Sequence, residues 1–135
     1  MMKKFYGFFS ALLGLVLLQS FSYSQATLES VQQVQFLSQN VCVVIQVNAD
    51  WNKSASIHLG HMDNCQWFHA SIDNKEYGAV IAKEWNIRSV PTIIMFEKGK
   101  EIKRFEAGLS FKMDPDDIKR KIEKEIDNIM LRRFQ

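Results

Sequence analysis

The chain has 135 residues, 47% of them hydrophobic, with 17 Lys+Arg against 15 Asp+Glu. That size and apolar content fit one globular domain with its own core. A formal charge of +2 gives no electrostatic argument for a nucleic-acid or anionic-membrane partner.

The N-terminus carries the clearest local signal. Lys3 and Lys4 precede an almost unbroken apolar run over 5–18, and Ser22-Tyr23-Ser24 places small residues before a cut ahead of Gln25. This layout predicts a secretory signal peptide over 1–24 and a mature domain over 25–135. As a helix the run would reach about 21 Å, against roughly 30 Å of bilayer hydrocarbon, so cleavage is favoured over anchoring. No cysteine lies near the cut and no second apolar run follows. The expected product is periplasmic or secreted, with no membrane or nucleic-acid partner. Loss of Lys3 and Lys4 takes Lys+Arg from 17 to 15, equal to the 15 Asp+Glu. The compartment reached is oxidising, which bears on Cys42 and Cys65.

Residues 26–38 place Leu28, Val31, Val34 or Gln35, and Leu37 near one face, predicting a helix. Val41-Cys42-Val43-Val44-Ile45-Gln46-Val47 is rich in β-branched residues with little alternation, as in a strand covered on both faces. Residues 52–63 form a short, imperfect helix at best: Asn52 is an N-cap candidate, but Gly60 interrupts a loose pattern. A strand follows over 66–72, so strand, crossover and strand suggest a βαβ unit. Asn74 opens a helix to about Trp85, with Tyr77, Val80, Ile81 and Trp85 as core candidates. Strands over 92–96 and 102–105 flank Lys98-Gly99-Lys100 and form a hairpin. The last helix starts at the cap Asp114, with Pro115 first and Asp116 and Asp117 at the positive end of its dipole. Ile118, Ile122, Ile126 and Ile129 mark its buried stripe.

Three segments carry a resemblance. The first is Val43-Val44-Ile45-Gln46-Val47-Asn48-Ala49-Asp50-Trp51, and the second is Trp85-Asn86-Ile87-Arg88-Ser89-Val90-Pro91-Thr92. The third is Met95-Phe96-Glu97-Lys98-Gly99-Lys100-Glu101 with Ala107-Gly108 after it. With the order of elements they resemble the thioredoxin family. The resemblance implies an α/β, thioredoxin-like fold, with a central mixed four-stranded sheet flanked by helices. The family's initial strand is not evident, and the crossover is about two helical turns shorter than usual.

In the family, the tryptophan is followed by Cys-x-x-Cys. Here Trp51 is followed by Asn52-Lys53-Ser54-Ala55. The resemblance therefore puts Asn52 at the nucleophile's position and Ala55 at the resolving cysteine's. Thiol–disulfide exchange needs a thiolate, which neither residue can form, so no catalytic residue and no cofactor is implied. The family's peptide-facing surface maps to Trp51, Val90, Pro91 and Gly108, with Pro91 at a cis-proline position. The leading expectation is a non-catalytic module that binds a protein or an extended peptide.

Gln46 and His69 fall where the family often has a buried acid and a lysine. In the family's register Cys42 and Cys65 are neighbours on parallel strands, which allows a disulfide stapling the crossover. The alternatives are two buried thiols or a displaced redox pair, which would make the protein a thiol–disulfide oxidoreductase. A further alternative is a metal-binding protein: His58, His61 and Cys65 would share a face if their segment were helical, with His69 nearby. Gly60 and Asn64 disfavour that helix, so no metal ligand is assigned.

Overall fold

The computed structural model describes residues 26–60 and 64–135. The expected signal segment lies outside the described residues. In chain order the elements are β1 (Ala26–Thr27), α1 (Val31–Leu37), β2 (Cys42–Asn48), a 3-10 helix (Asp50–Ala55) and β3 (Cys65–Ser71). Then come α2 (Gly78–Glu84), β4 (Thr92–Glu97), β5 (Lys100–Glu106) and α3 (Pro115–Arg133).

The sheet order is β1-β3-β2-β4-β5. β2 pairs parallel with β3 and antiparallel with β4, and β5 completes the hairpin with β4. The four long strands make the expected mixed sheet, and the two-residue β1 extends it at the β3 edge. All seven residues of β2 are buried, as its unalternating run predicts for a strand covered on both faces.

The two faces hold separate cores. Val43, Ile45 and Val47 point to the side of α1 and α2, where Leu28, Val34, Phe68, Ile81 and Trp85 pack with them. Cys42 and Val44 point the other way, toward Ile118, Ile122, Ile126 and Ile129 of α3. α3 begins as its sequence predicts: the Asp114 side chain accepts from the Asp116 amide at 3.1 Å, and Pro115 needs no donor partner. The β4–β5 turn has positive φ at Lys98 (54°) and Gly99 (75°), a pairing that matches the twist of a tight hairpin.

Four local expectations are corrected. The helix expected from Asn74 starts only at Gly78, and Asn74 instead shapes the preceding turn by accepting from the Glu76 and Tyr77 amides at 2.8 and 3.1 Å. The helix expected over 26–38 starts only at Val31. Ser30 caps it by accepting from the Gln33 amide at 3.2 Å. Ala26 and Thr27 pair with β3 instead, and the Leu28 amide continues that pairing to the His69 carbonyl at 3.0 Å. Asn52 is not an N-cap: it lies inside the 3-10 helix at a kink (φ −115°, ψ 20°). Val80, a core candidate, is 52% exposed, while Tyr77, Ile81 and Trp85 are buried.

The crossover between β2 and β3 has no α-helix among its described residues. After the 3-10 turn the chain runs across the sheet, and Ile57 and Leu59 enter the α3-side core. Ile57 and Leu59 thus cover sheet surface that a longer crossover helix would otherwise shield from water.

Candidate functional site

The site lies where β2 ends. Asn48, its last residue, is buried, and its side chain organises the turn beyond it. Its Oδ1 accepts from the Ala49 amide at 2.9 Å and from Asn52 Nδ2 at 3.1 Å. Its Nδ2 donates to the Asn52 carbonyl at 2.9 Å and to Ser56 Oγ at 3.1 Å. A buried amide with both ends satisfied fixes the backbone around it. The 3-10 turn is held at its start as well. The Asp50 amide donates to Asp73 Oδ2 at 2.7 Å, and Ser71 Oγ donates to Asp50 Oδ1 at 2.8 Å.

Asn52 is 8% exposed. Its Nδ2 faces three oxygens: Asn48 Oδ1, the Phe111 carbonyl at 3.0 Å and the Val90 carbonyl at 3.5 Å. One amide group therefore joins the end of β2, the loop before β4 and the loop after β5. The Val90–Pro91 peptide bond is cis. The Pro91 carbonyl accepts from the Ala107 amide at 3.1 Å, which ties the proline loop to the end of β5. Ala55 carries no group able to exchange electrons or protons.

Of the four residues expected on the peptide-facing surface, two are open and two are covered. Trp51 is 64% exposed and Gly108 is exposed, whereas Val90 and Pro91 are buried. One further apolar residue joins Trp51: the Phe111 ring meets it edge-on, with centroids 5.2 Å apart at 87°, and Leu109, two residues earlier in the same loop, is 97% exposed. Sequence reasoning missed Asn48, Leu109 and Phe111. The available signal was the pair of apolar residues just after Ala107-Gly108.

Cys42 and Cys65 are joined by a disulfide, with Cα atoms 4.4 Å apart and a sequence separation of 23. They are directly opposite in the β2–β3 register. The bond lies at the start of β2, about 20 Å along the strand from Asn48 at its other end. Between them on the same face sits Gln46, fully buried. It accepts from the Ile57 amide at 2.8 Å and donates to the Ile57 carbonyl at 3.0 Å. Its Nε2 is also 3.3 Å from His69 Nε2. Because Gln46 presents its donor there, His69 must be neutral with Nε2 as acceptor. Burial, and to a lesser degree nearby His58, hold the His69 pKa below its ordinary 6.5.

The metal alternative loses its thiolate, because Cys65 is spent in the disulfide. His58 is exposed, His61 lies outside the described residues, and no cluster of three or more His, Cys, Asp or Glu occurs among the described residues. No described helix is long and apolar enough to cross a membrane.

No family model matches the chain, and no curated protein matches it. Solved structures do. A Malassezia sympodialis thioredoxin aligns with TM-score 0.58 and 22% identity, covering 76% of this chain and 91% of its own. A cysteine-to-serine mutant of Entamoeba histolytica thioredoxin aligns with TM-score 0.56 and 19% identity, covering 75% and 99%. The oxidised thioredoxin of Plasmodium falciparum aligns with TM-score 0.55 and 18% identity, covering 76% and 98%. The mixed sheet, the two helical layers and these alignments together establish a thioredoxin-like fold, carried by a chain that contains no Cys-x-x-Cys.

Proposed function

We propose that this is an exported, non-catalytic member of the thioredoxin-like fold that binds a protein or an extended peptide at the surface around Trp51. One observation carries the reading. Asn52, at the position a nucleophile would need, is buried with its Nδ2 held by acceptors from three parts of the chain, while Trp51 beside it stands open to solvent. A large exposed aromatic next to a rigid polar scaffold is suited to recognition. Gly108 supports the same reading: a Cβ built there meets nothing within 4 Å, so space for a polypeptide backbone remains beside it. Val90 and Pro91 contribute their backbone and the shape of the loop rather than open side chains. Export is supported by Lys3, Lys4 and the apolar run over 5–18. A disulfide is also a feature of oxidising compartments.

The test is a titration of isotope-labelled protein with a reduced, carboxymethylated, unfolded polypeptide as an extended-chain probe. Shift changes should cluster at Trp51, Gly108 and the Val90 amide, and should vanish in Trp51→Ala. Changes that avoid this surface, or survive that substitution, would refute the reading.

A second reading, thiol–disulfide exchange by Cys42 and Cys65, has the disulfide itself in its favour. A partner dithiol would be oxidised as this bond is reduced to two thiols. Against it, Cys42 is almost wholly buried, and the two cysteines begin strands, not any described helix whose N-terminus would lower a thiol pKa.

A further inference from the structure

Phe111 adopts φ +55°, a conformation that bulky L-residues rarely take. Three contacts hold it there. Its amide donates to the Gly108 carbonyl at 3.0 Å. Its carbonyl accepts from Asn52 Nδ2 at 3.0 Å. Its ring leans edge-on against Trp51. The Asn52 contact spans 59 residues of chain, so it links the loop to the body of the domain, not to its own neighbours.

The chemistry at Asn52 is selective. All three groups facing Nδ2 are oxygens that accept: Asn48 Oδ1, the Val90 carbonyl and the Phe111 carbonyl. The position therefore needs a donor with two hydrogens. An aspartate would set its carboxylate against three acceptors, an alanine would remove the donor they share, and a cysteine would offer one weak S–H. Asn48 secures Asn52 from behind by donating to its carbonyl.

We propose that Asn52 is a latch: it holds the 108–111 loop closed over the position a reactive thiol would need, and so fixes Trp51 and Phe111 as one apolar surface. Asn52 is a positioning residue in this role. The latch stands on contacts within the free protein. Its consequence for partner recognition, an apolar side chain of an extended polypeptide seated against Trp51 and Phe111, rests on the reading proposed above.

The experiment is amide hydrogen exchange on the free, disulfide-bonded protein. In Asn52→Ala and Asn52→Asp the Phe111 amide should exchange about tenfold faster, the size expected for one lost anchoring hydrogen bond. The Ile45 and Ile94 amides of the central strands should keep their protection. An unchanged Phe111 amide, or a rise shared equally by Ile45 and Ile94, would overturn the latch. Should the Asn52 variants not fold, Phe111→Gly carries the test. It removes the ring and the positive-φ strain but keeps the carbonyl that Asn52 holds. The latch predicts that its residue-111 amide stays protected. Free exchange there would mean that the ring alone held the loop. Because no partner is present, failure of the latch and failure of peptide binding read out separately.

Discussion

Gln46 and Ile57 are joined at both ends of one backbone unit: the Gln46 carboxamide accepts from the Ile57 amide at 2.8 Å and donates to the Ile57 carbonyl at 3.0 Å. Gln46 is fully buried in the central strand and Ile57 is 2% exposed. The carboxamide thus does for the crossover what a neighbouring strand would do, pairing a donor and an acceptor that water cannot reach.

Gln46→Leu should therefore cost about 2 kcal/mol or more, because it strands a buried N–H and a buried C=O. Gln46→Glu should also destabilise, since a carboxylate cannot donate to the Ile57 carbonyl. Denaturant midpoints report both. A loss below about 0.5 kcal/mol in Gln46→Leu, a size typical of surface substitutions, would mean that the bracket is dispensable.

The same bracket predicts a pH dependence. His69 contacts Gln46 through an unprotonated Nε2, and its folded pKa is lowered from 6.5, first by burial and then by His58. As pH falls, the unfolded chain takes up this proton before the folded one does. The His69 contribution to stability is complete above about pH 6.5 and is lost as pH falls from there toward the folded pKa. Titration of stability between about pH 8 and pH 5 should show this decline, and His69→Gln should flatten it. An undiminished slope in that variant would assign the proton uptake elsewhere.

The Cys42–Cys65 bond closes the crossover between partners separated by 23 in sequence. Its loss in the paired Cys42→Ala, Cys65→Ala variant should cost about 3 kcal/mol on chain-entropy grounds. The domain should remain folded, and the surface around Trp51 should keep its shape, since the bond lies at the far end of β2. Thermal unfolding with circular dichroism reads the first effect, and the unfolded-polypeptide titration reads the second.

Gly78 opens α2 against the end of β3, and a Cβ there would run into the Ile72 carbonyl. Backbone cannot yield as a side-chain tip can, so Gly78→Ala should destabilise by about 2 kcal/mol despite alanine's better helix propensity. Stabilisation in a denaturant series would show that α2 can shift freely off the sheet.

Most of this architecture can be read from local chemistry. The β-branched run of β2, the Asp114-Pro115 start of α3 with its four isoleucines, and the Val90-Pro91-Thr92 segment each signal their role within a few residues. β1 could not be read: two residues carry no periodicity, and Ala26 and Thr27 are strand only because β3 offers them partners. Val80 sits on the helical face that periodicity assigns to the core, yet it stays exposed beside Phe36, where α1 and α2 leave an open groove of about 610 Å³. At the site, the absence of both active-site cysteines was plain from Asn52 and Ala55. The role of Asn52 was not, because its partners, Val90 and Phe111, are 38 and 59 residues away. A side chain that caps its own helix and one that grips distant loops look alike in sequence.

The central claim, that this fold is kept for recognition without thiol chemistry, is tested most directly by dithiol-driven reduction of insulin with purified, disulfide-bonded protein. The account predicts a rate equal to that of the dithiol alone. A faster rate that disappears when Cys42 and Cys65 are both replaced by alanine would contradict it and make this pair a redox centre.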